Sequence, residues 1–431
     1  MIQIALLLFG AEFVRTKARF IAMMGVLWGL IGIAVLIDGL DGVLDFPLKV
    51  FGSLLLLESL VTLFIAPGGV GPQKALLFFK GGGCLFVAVL ILANRTYSNL
   101  LLAIIFGFGY FIFGLLMITS AFVVRYPRWR YSVASGCAQV IFAVLLFSPY
   151  PIGYQATVSF FLGSLMIVSG LGTLRVARRA SILVRGTSAF ELLAESETLP
   201  GFKKKPASHP ASQEPAQAAL PGVPLVVHIW TPEGSAENAP IPRPIINRYI
   251  AAVDCHGVIS TGHAALELQP SLYISLYPAA DIDRSPSEFF RILKATRDND
   301  VPGSFQANYA VESANWCDSD RKIRFHRYNP DALNHFWRGY SLDERYNLTY
   351  RNCSSSVAYA LEASLDGVLA ARSKHWRGSL RTLLMPELWV AAQVRKRAMT
   401  MAWTPGLLMD YAAALKAIVH PRRNVRSPRG R

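Results

Sequence analysis

The sequence predicts a multi-domain chain, with a six-span α-helical membrane domain of three repeated hairpins followed by an α+β domain. Three observations carry that expectation. Apolar spans of membrane-crossing length crowd the first 175 residues. A stretch rich in Ala, Pro, Ser and Lys then breaks the pattern near residue 187. After it come short runs with strand-like alternation. The expected units are therefore 1–186 (membrane helices), 187–222 (flexible linker), 223–372 (α+β domain) and 373–431 (amphipathic helices and a basic tail).

The spans run roughly over 20–37, 50–66, 75–93, 100–124, 131–147 and 156–174. Each is close to the length needed to cross about 30 Å of hydrocarbon as a helix. The odd-numbered spans share a motif: GIAVLI from Gly32, FVAVLI from Phe86 and IFAVLL from Ile141. The even-numbered spans align through Gly52, Gly107 and Gly163, so the unit is a helical hairpin used three times. Glycines at 25, 29, 32, 114 and 170 would let helix backbones approach closely in lipid. Glu58 and Lys80 lie at comparable depth in successive spans, where a pair would offset the cost of taking each charge out of water.

The net charge of +15 is dispersed beside the spans, in the linker and in the tail. That distribution fits a membrane surface, and no nucleic-acid-binding motif is present. Arg15, Lys17, Arg19, Lys74, Arg125, Arg128, Arg130, Arg175, Arg178, Arg179 and Arg185 lie on one side of the spans, and Asp38, Asp41 and Asp45, with Lys49 and Arg95, on the other. The positive-inside rule then expects both termini in the cytoplasm. The five cysteines show no CxxC pair or metal-ligand spacing, so neither a disulfide framework nor a metal site is expected. The first apolar run, 2–9, has no basic segment before it and does not read as a cleavable signal.

Beyond the linker, PLVVHIWTP, RYIAAVD, GVISTGHAALEL, SLYISLYP and IRFHRY read as strands, and the segment from Cys353 as a helix. If Leu268 pairs with Leu272 across the QPS turn, His263, Ala265 and Glu267 share a polar face with Tyr273, Ser275 and Tyr277. Leu266, Leu268, Leu272 and Ile274 form the opposite, apolar face. Val357, Leu361 and Leu365 mark the buried stripe of the helix, and Cys353 lies one turn earlier on it. A cysteine at a helix N-terminus meets unpaired backbone N–H groups that favour a thiolate and can hold an oxyanion. A nearby imidazole at His263 would complete a nucleophile–base pair. For orienting that imidazole, Ser275 fits geometrically and Asp254 fits less well. Asn352, Tyr273 and Tyr277 are the expected substrate-binding neighbours. His228, His256, His326 and His335 read as structural or surface groups. In the last segment, Pro386 and Pro405 suit first helical turns, with Thr404 as a cap.

Two resemblances extend this reading. Residues 18–180, with their triple hairpin and glycine positions, resemble the HdeD family of six-span membrane proteins. That resemblance implies a bacterial inner-membrane location and a role in acid resistance or stress. Gly262, His263 and Leu266, followed by Asn352 and Cys353, resemble the GHxxL strand and NC helix of the circularly permuted NlpC-type branch of papain-like cysteine hydrolases. That resemblance implies a papain-like fold over about 224–370, a Cys353 nucleophile, a His263 base and an oxyanion site at the Cys353 N–H. The expected activity is a thiol peptidase or amidase needing no metal or organic cofactor, with a lipid acyl hydrolase or acyltransferase as a variant. The expected partners are the lipid bilayer and a protein, peptide or lipid substrate, with self-association left open. A reading from another class is a non-catalytic stress-response membrane protein whose soluble domain binds a partner. A transporter working through Glu58 and Lys80 is a further one.

Overall fold

The computed structural model describes residues 1–41, 46–68, 72–93, 96–126, 128–147, 154–182, 188–190, 222–236, 238–280, 282, 288, 291–373 and 375–421. The chain forms two compact units. One comprises Val14–Val123 and Arg128–Val184, and the other comprises Met1–Phe13, Val124–Pro127 and Arg185–Arg431.

In the first unit, helices α2 (Ala11–Asp41), α3 (Phe46–Ile65), α4 (Pro72–Ala93), α5 (Thr96–Val124), α6 (Trp129–Phe147) and α7 (Tyr154–Ile182) carry the expected apolar spans. Four stretches among the described residues are long and apolar enough to cross a membrane: Ala11–Gly39, Leu100–Val124, Trp129–Phe147 and Ser159–Ile182. A shorter apolar stretch, Leu77–Ala93, lies on α4. Leu30, Leu57, Phe113 and Val168 stay exposed, as suits helices whose solvent is hydrocarbon.

Glycine sets how closely these helices pack. A Cβ on Gly32 would lie 2.8 Å from the Gly163 carbonyl oxygen, and one on Gly163 would lie 2.7 Å from that of Gly32. Gly25 and Gly170 oppose each other in the same way, so α2 and α7 touch backbone to backbone. Helices α3 and α4 are joined by the expected polar pair, with Lys80 Nζ 2.5 Å from Glu58 Oε1. The Thr62 hydroxyl donates to that same oxygen over 3.1 Å.

The second unit has an α+β core. Strands β1 (Leu225–Trp230), β4 (His263–Leu268), β5 (Leu272–Ile274) and β8 (Arg321–Phe325) form an antiparallel sheet in the order β5-β4-β1-β8. The β4–β5 register pairs Leu268 with Leu272 and Glu267 with Tyr273, as the alternation predicts. Two-residue strands β2 (Ala252–Val253) and β3 (Ile259–Ser260) pair with each other. Strands β6 (Leu276–Pro278), β7 (Val301–Phe305) and β9 (Arg345–Tyr346) make a third small sheet. The apolar face of the main sheet packs on helix α11 (Cys353–Ser364), every residue of which is buried.

Several expectations change. The run RYIAAVD is not one strand. Helix α8 (Pro244–Tyr249) takes its first residues and β2 its centre. Pro244 at the first helical position presets the backbone angle, and its missing N–H is one the helix leaves unbonded there anyway. Strand β7 was not anticipated, because its sequence VPGSF lacks the β-branched alternation of a strand. The expected first unit, 1–186, also loses its first residues, while its end lies close to the folded division at Val184. Helix α1 (Ile2–Phe9) belongs to the α+β unit, where Leu7 and Leu8 are fully buried. Eight residues are too few to cross a bilayer but enough to fill a groove in a core. The backbone N–H groups of Gly367 and Leu369 donate to the Leu7 and Leu8 carbonyls over 3.0 and 2.7 Å, satisfying the end of that helix.

The expected amphipathic helices after residue 373 pack onto this unit. Leu388 and Val390 of α14 (Pro386–Thr400) and Leu408, Tyr411 and Leu415 of α15 (Pro405–Val419) lie in the same core as the sheet. Thr404 caps α15 by accepting from the Leu407 N–H. Most of the expected linker, 191–221, and the tail 422–431 lie outside the described residues. Of the remaining linker, Ala189 and Phe190 are buried in the core, and the Ala189 N–H donates to Asp366 over 2.8 Å.

Candidate active site

Cys353 is the first residue of α11, and its position is fixed by a reciprocal cap. The Asn352 side-chain oxygen accepts from the Ser355 N–H, and the Ser355 hydroxyl oxygen accepts from the Asn352 N–H, each over 2.8 Å. The Ser356 N–H bonds to the Asn352 carbonyl over 3.0 Å. The N–H groups of Cys353 and Ser354 sit at the start of the first turn, where a helix supplies no internal acceptor. They are the donors available to a developing oxyanion beside the thiol.

His263 opens β4 opposite Trp230. Gly262 before it has φ +67, and a Cβ there would strike the Trp230 carbonyl. Glycine therefore lets the strand begin tight against its neighbour and aims the next side chain inward. The imidazole stacks on Tyr277 with ring centroids 4.0 Å apart and has Trp230 at 5.4 Å and Trp316 at 6.3 Å. Its Nε2 lies 2.8 Å from Ser275 Oγ and 3.2 Å from Glu312 Oε1. With Nε2 so occupied, Nδ1 is the nitrogen left for the Cys353 thiol, whose charge is felt by the ring.

Glu312 is the residue that sequence reasoning missed. It lies on α9 (Tyr309–Asn315), capped by Asn308, and is only 4% exposed. Its carboxylate accepts from Tyr273 OH over 2.6 Å and from Tyr277 OH over 2.8 Å. The two tyrosines expected to meet substrate therefore hold this acid. Their polar-face placement was legible, but their partner comes from a helix in a different part of the chain. No spacing links residue 312 to residue 263, so the sequence carries no signal for the pairing.

The electrostatics follow from this geometry. Burial disfavours a charged imidazole, but the Cys353 thiolate and the Glu312 carboxylate outweigh it and raise His263 to about 9. Burial likewise opposes ionisation of Cys353. The His263 charge and hydrogen bond overcome it, aided by the Ser354 hydroxyl and the Ala264 N–H, so the thiol lies below its ordinary value. Burial would raise Glu312, but bonds from His263, Tyr273 and Tyr277 bring it down to about 2. Both shifts run in the direction that favours a proton on the ring and a charge on the sulfur, with the Glu312 carboxylate behind the ring.

Other expected residues have different places. Ser275 shares Nε2 with Glu312, as the strand geometry anticipated. Asn352, expected near substrate, is buried, and its amide NH2 is committed to the Leu348 and Trp403 carbonyls over 2.7 and 2.9 Å. It builds the helix start. Asp254 accepts from the His256 and Val258 N–H groups, each over 2.9 Å, and so shapes the β2–β3 turn away from the imidazole. His228 is buried between Ser319 and Glu267, at 3.1 Å from each, and stacks on Tyr309. Comparison of the chain with protein-family models, curated proteins and solved structures finds no match.

Proposed function

We propose that this protein is a membrane-anchored cysteine hydrolase, with a peptide or other amide as its substrate class. The observation that supports this most directly is the meeting of Cys353, His263 and Glu312 in one buried cluster at the first turn of helix α11. The Cys353 thiolate attacks the substrate carbonyl carbon, and the oxyanion formed is held by the Cys353 and Ser354 N–H groups. The His263 imidazolium gives its proton to the leaving amine as the C–N bond breaks, leaving a thioester on Cys353. The now neutral His263 takes a proton from water, the hydroxide attacks the thioester, and the acid product leaves with the thiolate and imidazolium restored. Glu312 and Ser275 orient the ring throughout.

On this reading the α+β unit has the permuted NlpC-type, papain-like arrangement and the helical unit is an HdeD-like domain of six spans. The chain then sits in a bacterial inner membrane with both termini in the cytoplasm, in a stress or acid-resistance role. The Glu58–Lys80 pair joins α3 to α4 as a structural tie.

The test is peptide-resolved mass spectrometry of the full chain after brief exposure to limiting iodoacetamide across pH. The expected result is fast labelling of Cys353 at and below neutral pH, slowed in His263→Ala. Labelling no faster than a simple thiol and indifferent to His263 overturns the hydrolase reading.

A further inference from the structure

Within the segment between β1 and β4, helix α8 and its flanks turn several aliphatic side chains outward while polar ones are held inside. In helix α8 the polar Asn247 is buried, donating to Glu233 over 3.0 Å and to the Ile241 carbonyl over 2.9 Å. Arg248 and Tyr249 turn back onto Asp410 of α15, at 2.6 and 2.9 Å. The aliphatic residues face outward. Ile245 is 76% exposed and Val258 is 60% exposed, with Ile241, Ile246 and Ile250 also exposed. Buried polar anchors therefore hold the isoleucines in place, and this cannot be read as a loose loop showing stray side chains. A surface built with polar groups in and apolar groups out is matched to an apolar neighbour.

The chain itself indicates which neighbour. It passes between the α+β unit and the helical unit after Phe13, Val123, Pro127 and Val184. Several of these crossings lie at or within a few residues of the membrane-length apolar stretches Ala11–Gly39, Leu100–Val124, Trp129–Phe147 and Ser159–Ile182. A unit tethered so closely meets a bilayer surface at high effective concentration. Arg243, exposed beside the isoleucines, supplies a cation for lipid phosphates.

We infer that the exposed apolar residues of 241–258 dock the α+β unit on the lipid bilayer, seating in the boundary between headgroups and acyl chains. This segment starts and ends at Trp230 and His263, so docking places the candidate active site at the membrane surface. The inference stands apart from the hydrolase reading, because it concerns a surface and needs no catalysis.

The experiment uses the full chain in vesicles of phosphatidylethanolamine and phosphatidylglycerol, with a photoreactive p-benzoylphenylalanine replacing one residue at a time. Ile245 and Val258 are the test positions. Phe113, exposed on α5, is the lipid reference, and Leu342, 84% exposed in the same unit but outside 241–258, is the reference away from the inferred docking residues. The expected result is phospholipid adducts at Ile245 and Val258 about tenfold above Leu342 and comparable to Phe113. Adduct yields at the Leu342 level, or capture of a second protein chain in place of lipid, overturn the inference. Thiol labelling at Cys353 in each variant reports whether the unit remains folded.

Discussion

Replacing Glu312 with Gln removes a negative charge from beside His263 while keeping the side chain's size. The carboxyl titrates at about 2, against an ordinary 4.5, so its surroundings favour the ionised form by about 3 kcal/mol. His263 contributes most of the opposing force to burial, and Tyr273 and Tyr277 the rest. An opposite charge in contact shifts its partner by about 1–3 pH units, so losing the Glu312 charge while a hydrogen-bonding amide remains is worth roughly one pH unit. The ring that now loses its proton at about 9 would lose it at about 8 in the variant. The assay is the rate of Cys353 alkylation against pH on the full chain. Two inflections are expected, a lower one where the thiol ionises into the pair and an upper one where the imidazolium deprotonates. The upper inflection should move down in Glu312→Gln. Superimposable profiles for variant and wild type would refute the role given to Glu312 and with it the assigned electrostatics.

Further outcomes follow from the same structure. Because Glu312 is depressed in the folded state, its stabilisation is present above 4.5 and is lost as pH falls through about 2. His263 is raised, so its contribution is complete below 6.5 and is lost as pH rises through about 9, which unfolding at stepped pH values would register. Leu8→Ala should destabilise the α+β unit by about 2–5 kcal/mol, seen as a lower melting temperature, although residue 8 lies far in sequence from the sheet of that unit. Asn352→Ala should cost about 1–2 kcal/mol through the lost cap and should slow Cys353 labelling as the helix start loosens. Gly163→Val should weaken the α2–α7 contact, where even a Cβ would sit 2.7 Å from the Gly32 oxygen. The expected cost is about 1–3 kcal/mol, read in detergent unfolding of the helical unit.

Much of this protein follows from local pattern. Lipid-length apolar runs with glycine at matched positions determine the helices and their close faces, because in hydrocarbon a helix must satisfy its own backbone. Strand alternation determines that His263, Tyr273, Ser275 and Tyr277 share one face, because successive side chains point to opposite sides. The NC pair at 352–353 determines a capped helix start with a thiol on it, since capping is a matter of adjacent residues. What only the tertiary structure decided are the contacts without a local rule. Glu312 reaches His263 from a separate helix, helix α1 fills a core whose sheet begins some two hundred residues later, and α14 and α15 complete that core. Burial and charge pairing act through space and depend on which elements the fold brings together, and no periodicity or spacing encodes that.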